Sequence, residues 1–171
     1  MSTFVAYYSR SGQNYVAGSI KELKIGNAQI LAEFAAKAAG ADLFQIETVR
    51  PYPVDYRECC AQAAAEKEAG ARPELVEAGD VSAYDTVVLI YPNWCGTMPM
   101  AVYAFLEAHD FAGITILPIC THEGSGMSGT EQDIARCCPG ATVGKGLAIK
   151  GHEAAQSEGK VRSWLEDAGV C

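Results

Sequence analysis

Five short apolar runs, Thr3 to Tyr8, Leu43 to Val49, Asp85 to Tyr91, Ile114 to Cys120 and Thr142 to Ile149, are separated by stretches with helical spacing. Most of the runs are rich in Val, Ile, Leu and aromatics and stop in turn residues, as expected of strands buried on both faces of a parallel sheet. Leu43 to Val49 alternates and suits an edge strand. Pro118 is awkward inside a central strand, and Gly144 and Gly146 weaken the last one. Between the runs, Asn27 is placed to cap a helix carrying Ile30, Leu31, Phe34, Ala35 and Ala38 on one face and closed by Gly40. Asp55 caps a second, to about Gly70, and Thr97 opens a third with Pro99 in its first turn. Thr130 to Asp133 has capping-box character, and Ser157 starts a fifth helix with Val161, Trp164, Leu165 and Ala168 inward. Strand and helix thus alternate five times, which implies right-handed crossovers and a doubly wound α/β sandwich. Arg10 to Ile25 and Pro73 to Tyr84 are expected to be irregular.

A chain of 171 residues, 49% of them hydrophobic, suits one domain over 1–171. No apolar run is long enough to cross a bilayer and the N-terminus has no basic leader, so a cytoplasmic protein with no membrane partner is expected. The seven cysteines are odd in number and two pairs are sequence neighbours, which points to free thiols of a reducing compartment. No zinc-like Cys/His spacing occurs, so no metal is expected. A net charge of −8 argues against nucleic acid and leaves room for a basic protein partner.

In an open parallel sheet, ligands bind beyond the carboxyl ends of the strands where the winding reverses. The loops after the first, third and fourth strands are the unusual ones: "SRSGQN", "PNWCGTMP" and "THEGSGMSG". Ser9, Ser11 and Gly12 could cradle an anion, with Asn27 and Ala28 adding a helix N-terminus; an ordinary polar turn is the alternative. Trp94, between Pro92 and Gly96, could wall a planar ring or simply pack on its own loop. The third loop offers many backbone amides or is merely flexible, and His122 and Glu123 are as ordinary on a polar surface as in a site. Together the three loops describe a phosphate plus a flat heterocycle.

Four blocks resemble flavodoxins, and more narrowly the bacterial short-chain flavodoxin-like group: "YYSRSG", "ADLFQIETVRPYPVDY", "YDTVVLIYPNWCGTMPMAVYAFLEAHDFAG" and "ILPICTHEGSGMSGTEQDI". The resemblance implies a five-stranded parallel sheet in the order 2-1-3-4-5 and non-covalent FMN. It places Ser9, Arg10, Ser11 and Gly12 in the phosphate loop, and Asn27 and Ala28 after an insertion. Pro92, Asn93, Trp94, Cys95 and Gly96 form the first flavin-flanking loop. Thr121, His122, Glu123, Gly124, Ser125 and Gly126 form the second. Ala28 lacks the hydroxyl usual in the pattern, and Cys95 stands where a second tryptophan is common.

The expected function is low-potential electron transfer between a reductase and an acceptor protein, by a monomer or weak homodimer with no side chain in a catalytic role. The alternative is an FMN-dependent NAD(P)H:quinone-type oxidoreductase, for which the small Cys95 would leave space over the ring. An interaction module that has lost FMN is the third reading.

Overall fold

A computed structural model describes residues 2–171. The central sheet is parallel, built from β1 (Thr3–Tyr7), β4 (Asp42–Gln45), β5 (Thr86–Pro92), β6 (Thr115–His122), β7 (Thr142–Val143) and β8 (Leu147–Lys150). Its order is β4-β1-β5-β6-β7, with β8 also pairing β6. Since β7 and β8 lie along the same neighbour, they are two halves of one fifth strand, and the order is the flavodoxin-like one.

The break in that strand accounts for Pro118. Ile116 pairs with Val143 and Ile119 with Leu147, so three steps on β6 face four on its neighbour. Ile116 O accepts from Gly144 N at 2.9 Å, so Ile116 presents its peptide to this side. By the alternation of a strand so does Pro118, whose missing N–H falls at the bulge. Gly144 avoids crowding there, since a Cβ would lie 2.6 Å from Leu117 Cδ2.

Two cores flank the sheet. On one face Val5, Tyr7, Val88, Ile90 and Ile119 meet α1 (Asn27–Ala39) and α5 (Glu158–Asp167) through Leu31, Ala35, Val161 and Leu165. On the other, Phe4, Ala6, Leu89, Tyr91 and Ile116 meet α3 (Met100–Glu107) and α4 (Thr130–Cys137) through Val102, Phe105 and Ile134. α2 (Tyr56–Ala69) buries only Cys59 and Ala63. Asp55 caps it by accepting from Glu58 N at 2.9 Å, as its sequence position indicates.

Several boundaries differ from expectation. The segment expected to be irregular contains an antiparallel hairpin, β2 (Gly12–Val16) and β3 (Ser19–Leu23), turned by Ala17 and Gly18 at φ 50° and 92°. The cap of α1 is Gly26 rather than Asn27, and the capping oxygen is the distant Ser9 Oγ, accepting from Gln29 N at 3.1 Å. Helix α3 starts at Met100, because Thr97 closes a turn with Trp94 and Pro99 is the cap. Thr130 is not a cap: Gly129 is, and the Thr130 hydroxyl accepts from the Tyr91 hydroxyl and donates to Met127 O. A 3-10 helix, Gly151–Gln156, precedes α5. No helix among the described residues is long and apolar enough to cross a membrane.

Candidate functional site

Strands β5 and β6 end side by side, which brings the two loops that follow them to one rim. A cleft of about 320 Å³ opens there, lined from these loops by Pro92, Asn93, Trp94, Thr121, His122, Glu123 and Ser125, and by Asn27 at the start of α1. The hairpin contributes Asn14 and Tyr15, α2 contributes Tyr56, and the 3-10 helix contributes Gly151. These last four were not foreseen. No local sequence signal marks them, because tertiary packing brings them to the rim.

Asn93 ties the loops together. Its side-chain nitrogen donates to Gly126 O at 3.1 Å and to Ser128 Oγ at 2.8 Å, while its side-chain oxygen accepts from Gly96 N at 3.1 Å. Trp94 exchanges backbone bonds with Thr97 around a two-residue turn, in which Cys95 and Gly96 both have positive φ, 55° and 78°. Glycine accepts this freely, whereas cysteine does so at a cost of about 1 kcal/mol. The Trp94 indole is half-buried, meeting Tyr8 and Tyr52 edge-on at centroid distances of 5.2 and 5.1 Å. It both packs on its own surroundings and walls the cleft.

On the second loop, His122 Nδ1 accepts from Gly124 N at 2.9 Å, which leaves Nε2 to carry the proton of the neutral ring. Burial lowers the His122 pKa, which favours the neutral ring. Glu123 is a hub: it accepts from His152 N and pairs with His152 Nδ1 at 2.8 Å, and it receives Ala17 N of the hairpin turn at 3.4 Å. The close approach of these parts is why residue 151 is glycine. A Cβ there would lie 2.5 Å from Asn27 Nδ2 and 2.8 Å from Glu123 Oε1.

The expected phosphate loop is divided. Ser9, Arg10, Ser11 and Gly12 line a separate cleft of about 510 Å³ together with Tyr52 and Val54. The guanidinium of Arg10 is taken up by backbone carbonyls of Gln13, Pro53 and Val54, so this side chain straps the hairpin to the loop before α2. Ser9 remains beside the N-terminus of α1, which it caps as an acceptor with its hydroxyl hydrogen free to donate. The packing is close enough that a Cβ on Gly26 would lie 2.1 Å from Ser9 Oγ. The N–H groups of Asn27 and Ala28 make no hydrogen bond among the described residues. These donors at the positive end of a 13-residue helix fit an anion, and the missing Ala28 hydroxyl removes one donor without removing its amide.

Cys95 is exposed and Gly96 borders a further groove with Lys67 and Arg72. Gly124 is exposed, and the carbonyl of Gly126 receives Asn93. The assembled site can hold an anion at α1 and a flat ring between the two loops.

Comparison with known proteins agrees with the fold. A candidate flavoprotein from Bacteroides eggerthii DSM 20697 superposes with a TM-score of 0.79 at 23% identity, covering 99% of both chains. One from Bacteroides uniformis ATCC 8492 gives 0.75 at 25% identity, over 96% of this chain and 97% of that one. A flavoprotein from Lactobacillus acidophilus NCFM in complex with FMN gives 0.64 at 15% identity, over 91% and 97%. Curated protein sequences give no match. The model of the family described as Flavodoxin matches residues 2–168, and the chain belongs to that family.

Proposed function

We propose that the protein binds FMN non-covalently and carries electrons at low potential between a reductase and an acceptor protein. The observation that carries this reading is the single cleft walled by both loops after β5 and β6 and reached by Asn27 of the α1 N-terminus. FMN, when bound, supplies the electron-accepting ring. The amides of Asn27 and Ala28 and the Ser9 hydroxyl would hold its phosphate, while Trp94 and the His122 loop flank the ring.

The chain's own contribution is electrostatic and steric. A net charge of −8 opposes further negative charge on the bound group, which lowers its potential. Asn93 holds the two loops at a fixed separation, so little rearrangement is needed on electron transfer. No side chain is required to act as acid or base. Fluorescence titration of the apoprotein tests the binding half of the proposal. FMN should bind far more tightly than riboflavin, and Ser9→Ala should narrow the difference; equal affinities would overturn the phosphate placement.

A second reading, an FMN-dependent NAD(P)H:quinone-type oxidoreductase, is favoured by one feature. The exposed Cys95 and Gly96 leave an open margin beside a groove that holds the cations Lys67 and Arg72.

A further inference from the structure

Helix α2 presents Tyr56, Cys60, Ala63 and Lys67 at spacings of four, three and four residues, which places them on one face. That face meets the loop after β5. Lys67 Nζ donates to Cys95 O at 2.5 Å, and a small cavity of about 100 Å³ is lined by Cys59, Cys60 and Ala63 from the helix and by Asn93, Trp94 and Cys95 from the loop. Cys60 and Cys95 are both exposed at its margin. Both thiols line this one small cavity, and the charge of Cys60 contributes to raising the Cys95 thiol.

From this juxtaposition we infer that Cys60 and Cys95 form a dithiol site that exchanges with low-molecular-weight disulfides, closing reversibly into a bridge between α2 and the Trp94 loop. The inference goes beyond the electron-carrier reading, since the exchange needs no flavin. The order of events follows from the surroundings. Burial pushes the Cys95 thiol up, with the Lys67 ammonium opposing it, whereas Cys60 stands in solvent on the helix. The Cys60 thiolate attacks one sulfur of the small disulfide, forming a mixed disulfide and releasing one small thiolate, which takes up the proton that Cys60 lost. The Cys95 thiolate then attacks Cys60 Sγ, forming the internal bridge and releasing the second small thiolate, protonated in turn. Two protein thiols and one small disulfide become one protein disulfide and two small thiols, so atoms and electrons balance.

Cys95 adjoins Trp94, so the bridge would pin the wall of the larger cleft. Cys59, next in sequence to Cys60, lines the same cavity but is buried, only 4% exposed, so it is the rival partner that the test must separate from Cys60. The test uses the full chain in a Cys171→Ser background, which removes the remaining exposed thiol. After incubation with oxidised glutathione, mass spectrometry and peptide mapping should show loss of two thiols, no retained glutathione, and a Cys60–Cys95 link that dithiothreitol reverses. Cys95→Ser should stop at one glutathione held on Cys60, and Cys59→Ser should leave the bridge intact. Glutathione retained on Cys60 with Cys95 free, a bridge through Cys59, or no reaction would each overturn the inference.

Discussion

Lys67, on the helix α2, donates through its ammonium to the carbonyl oxygen of Cys95 at 2.5 Å, so a cation on an exposed helix restrains the turn that borders the ring site. The contact joins residues 28 apart in sequence and restrains the Cys95–Gly96 peptide, both of whose residues have positive φ.

Removing that charge should make the bound FMN harder to reduce. In a medium of effective dielectric about 20, a cation near the ring favours added negative charge by about 1 to 2 kcal/mol, or about 20 to 40 mV for a two-electron couple. Lys67→Met should therefore lower the midpoint potential by that amount in a spectroelectrochemical titration, less at high salt. An unchanged potential would show that the ammonium does not act on the ring.

Asn93→Ala should uncouple the two loops. It removes the bonds to Gly126, Ser128 and Gly96 and should weaken FMN binding by about 10- to 100-fold, about 1.4 to 2.8 kcal/mol. Calorimetry of binding, paired with a denaturant curve, separates a loss at the site from a loss of folding. Undiminished affinity would mean that the loops hold their separation without this amide.

The same substitution should have opposite signs at two glycines. Gly26→Ala drives a Cβ to 2.1 Å from Ser9 Oγ and 2.6 Å from Arg10 O, forcing backbone to move at a cost of about 1 to 3 kcal/mol. Gly159→Ala, in the first turn of α5 with nothing within 4 Å, should stabilise by up to about 0.5 kcal/mol. Thermal unfolding of both variants checks the pair, and a stable Gly26→Ala protein would contradict the packing at the α1 cap.

Stability should decline in acid partly through His122, whose pKa burial lowers. Above the unfolded value, about 6.5, the ring is neutral in both states and its contribution is fully present. As pH falls, the unfolded chain takes up the proton first, so stability is lost until the folded ring protonates as well. Protonation also removes the acceptor for Gly124 N. Denaturant midpoints measured from about pH 7.5 to about pH 5 should fall less steeply in His122→Asn, which keeps an acceptor in a similar position without titrating. Equal slopes would assign the acid sensitivity elsewhere.

The sheet and the rim of the site were legible because they depend on local chemistry. Apolar runs such as Thr86–Pro92 announce buried parallel strands, and a tryptophan among proline and glycine after one of them stands out at once. The hairpin over 12–23 was hidden for two reasons. Its turn uses Ala17 at positive φ in place of asparagine or aspartate, and Val16 is its one buried residue, so no alternation of burial marks its strands. The start of α1 was misplaced because the oxygen that caps Gln29 N comes from Ser9, twenty residues before Gln29, which no reading of the helix alone can supply. Arg10, Lys67 and Gly151 acquire their roles only from neighbours distant in the chain.

The central claim is that this flavodoxin-family chain carries electrons between proteins, and anaerobic stopped-flow mixing of the FMN-loaded protein tests it most directly. NADH or NADPH alone, with or without a quinone, should reduce the bound flavin slowly, whereas a basic flavin-containing reductase with NADPH should reduce it rapidly, and faster at low ionic strength because the acidic surface steers the encounter. Rapid reduction by NADH or NADPH alone, with multiple turnovers of quinone and no dependence on salt, would contradict the carrier account and establish the oxidoreductase in its place.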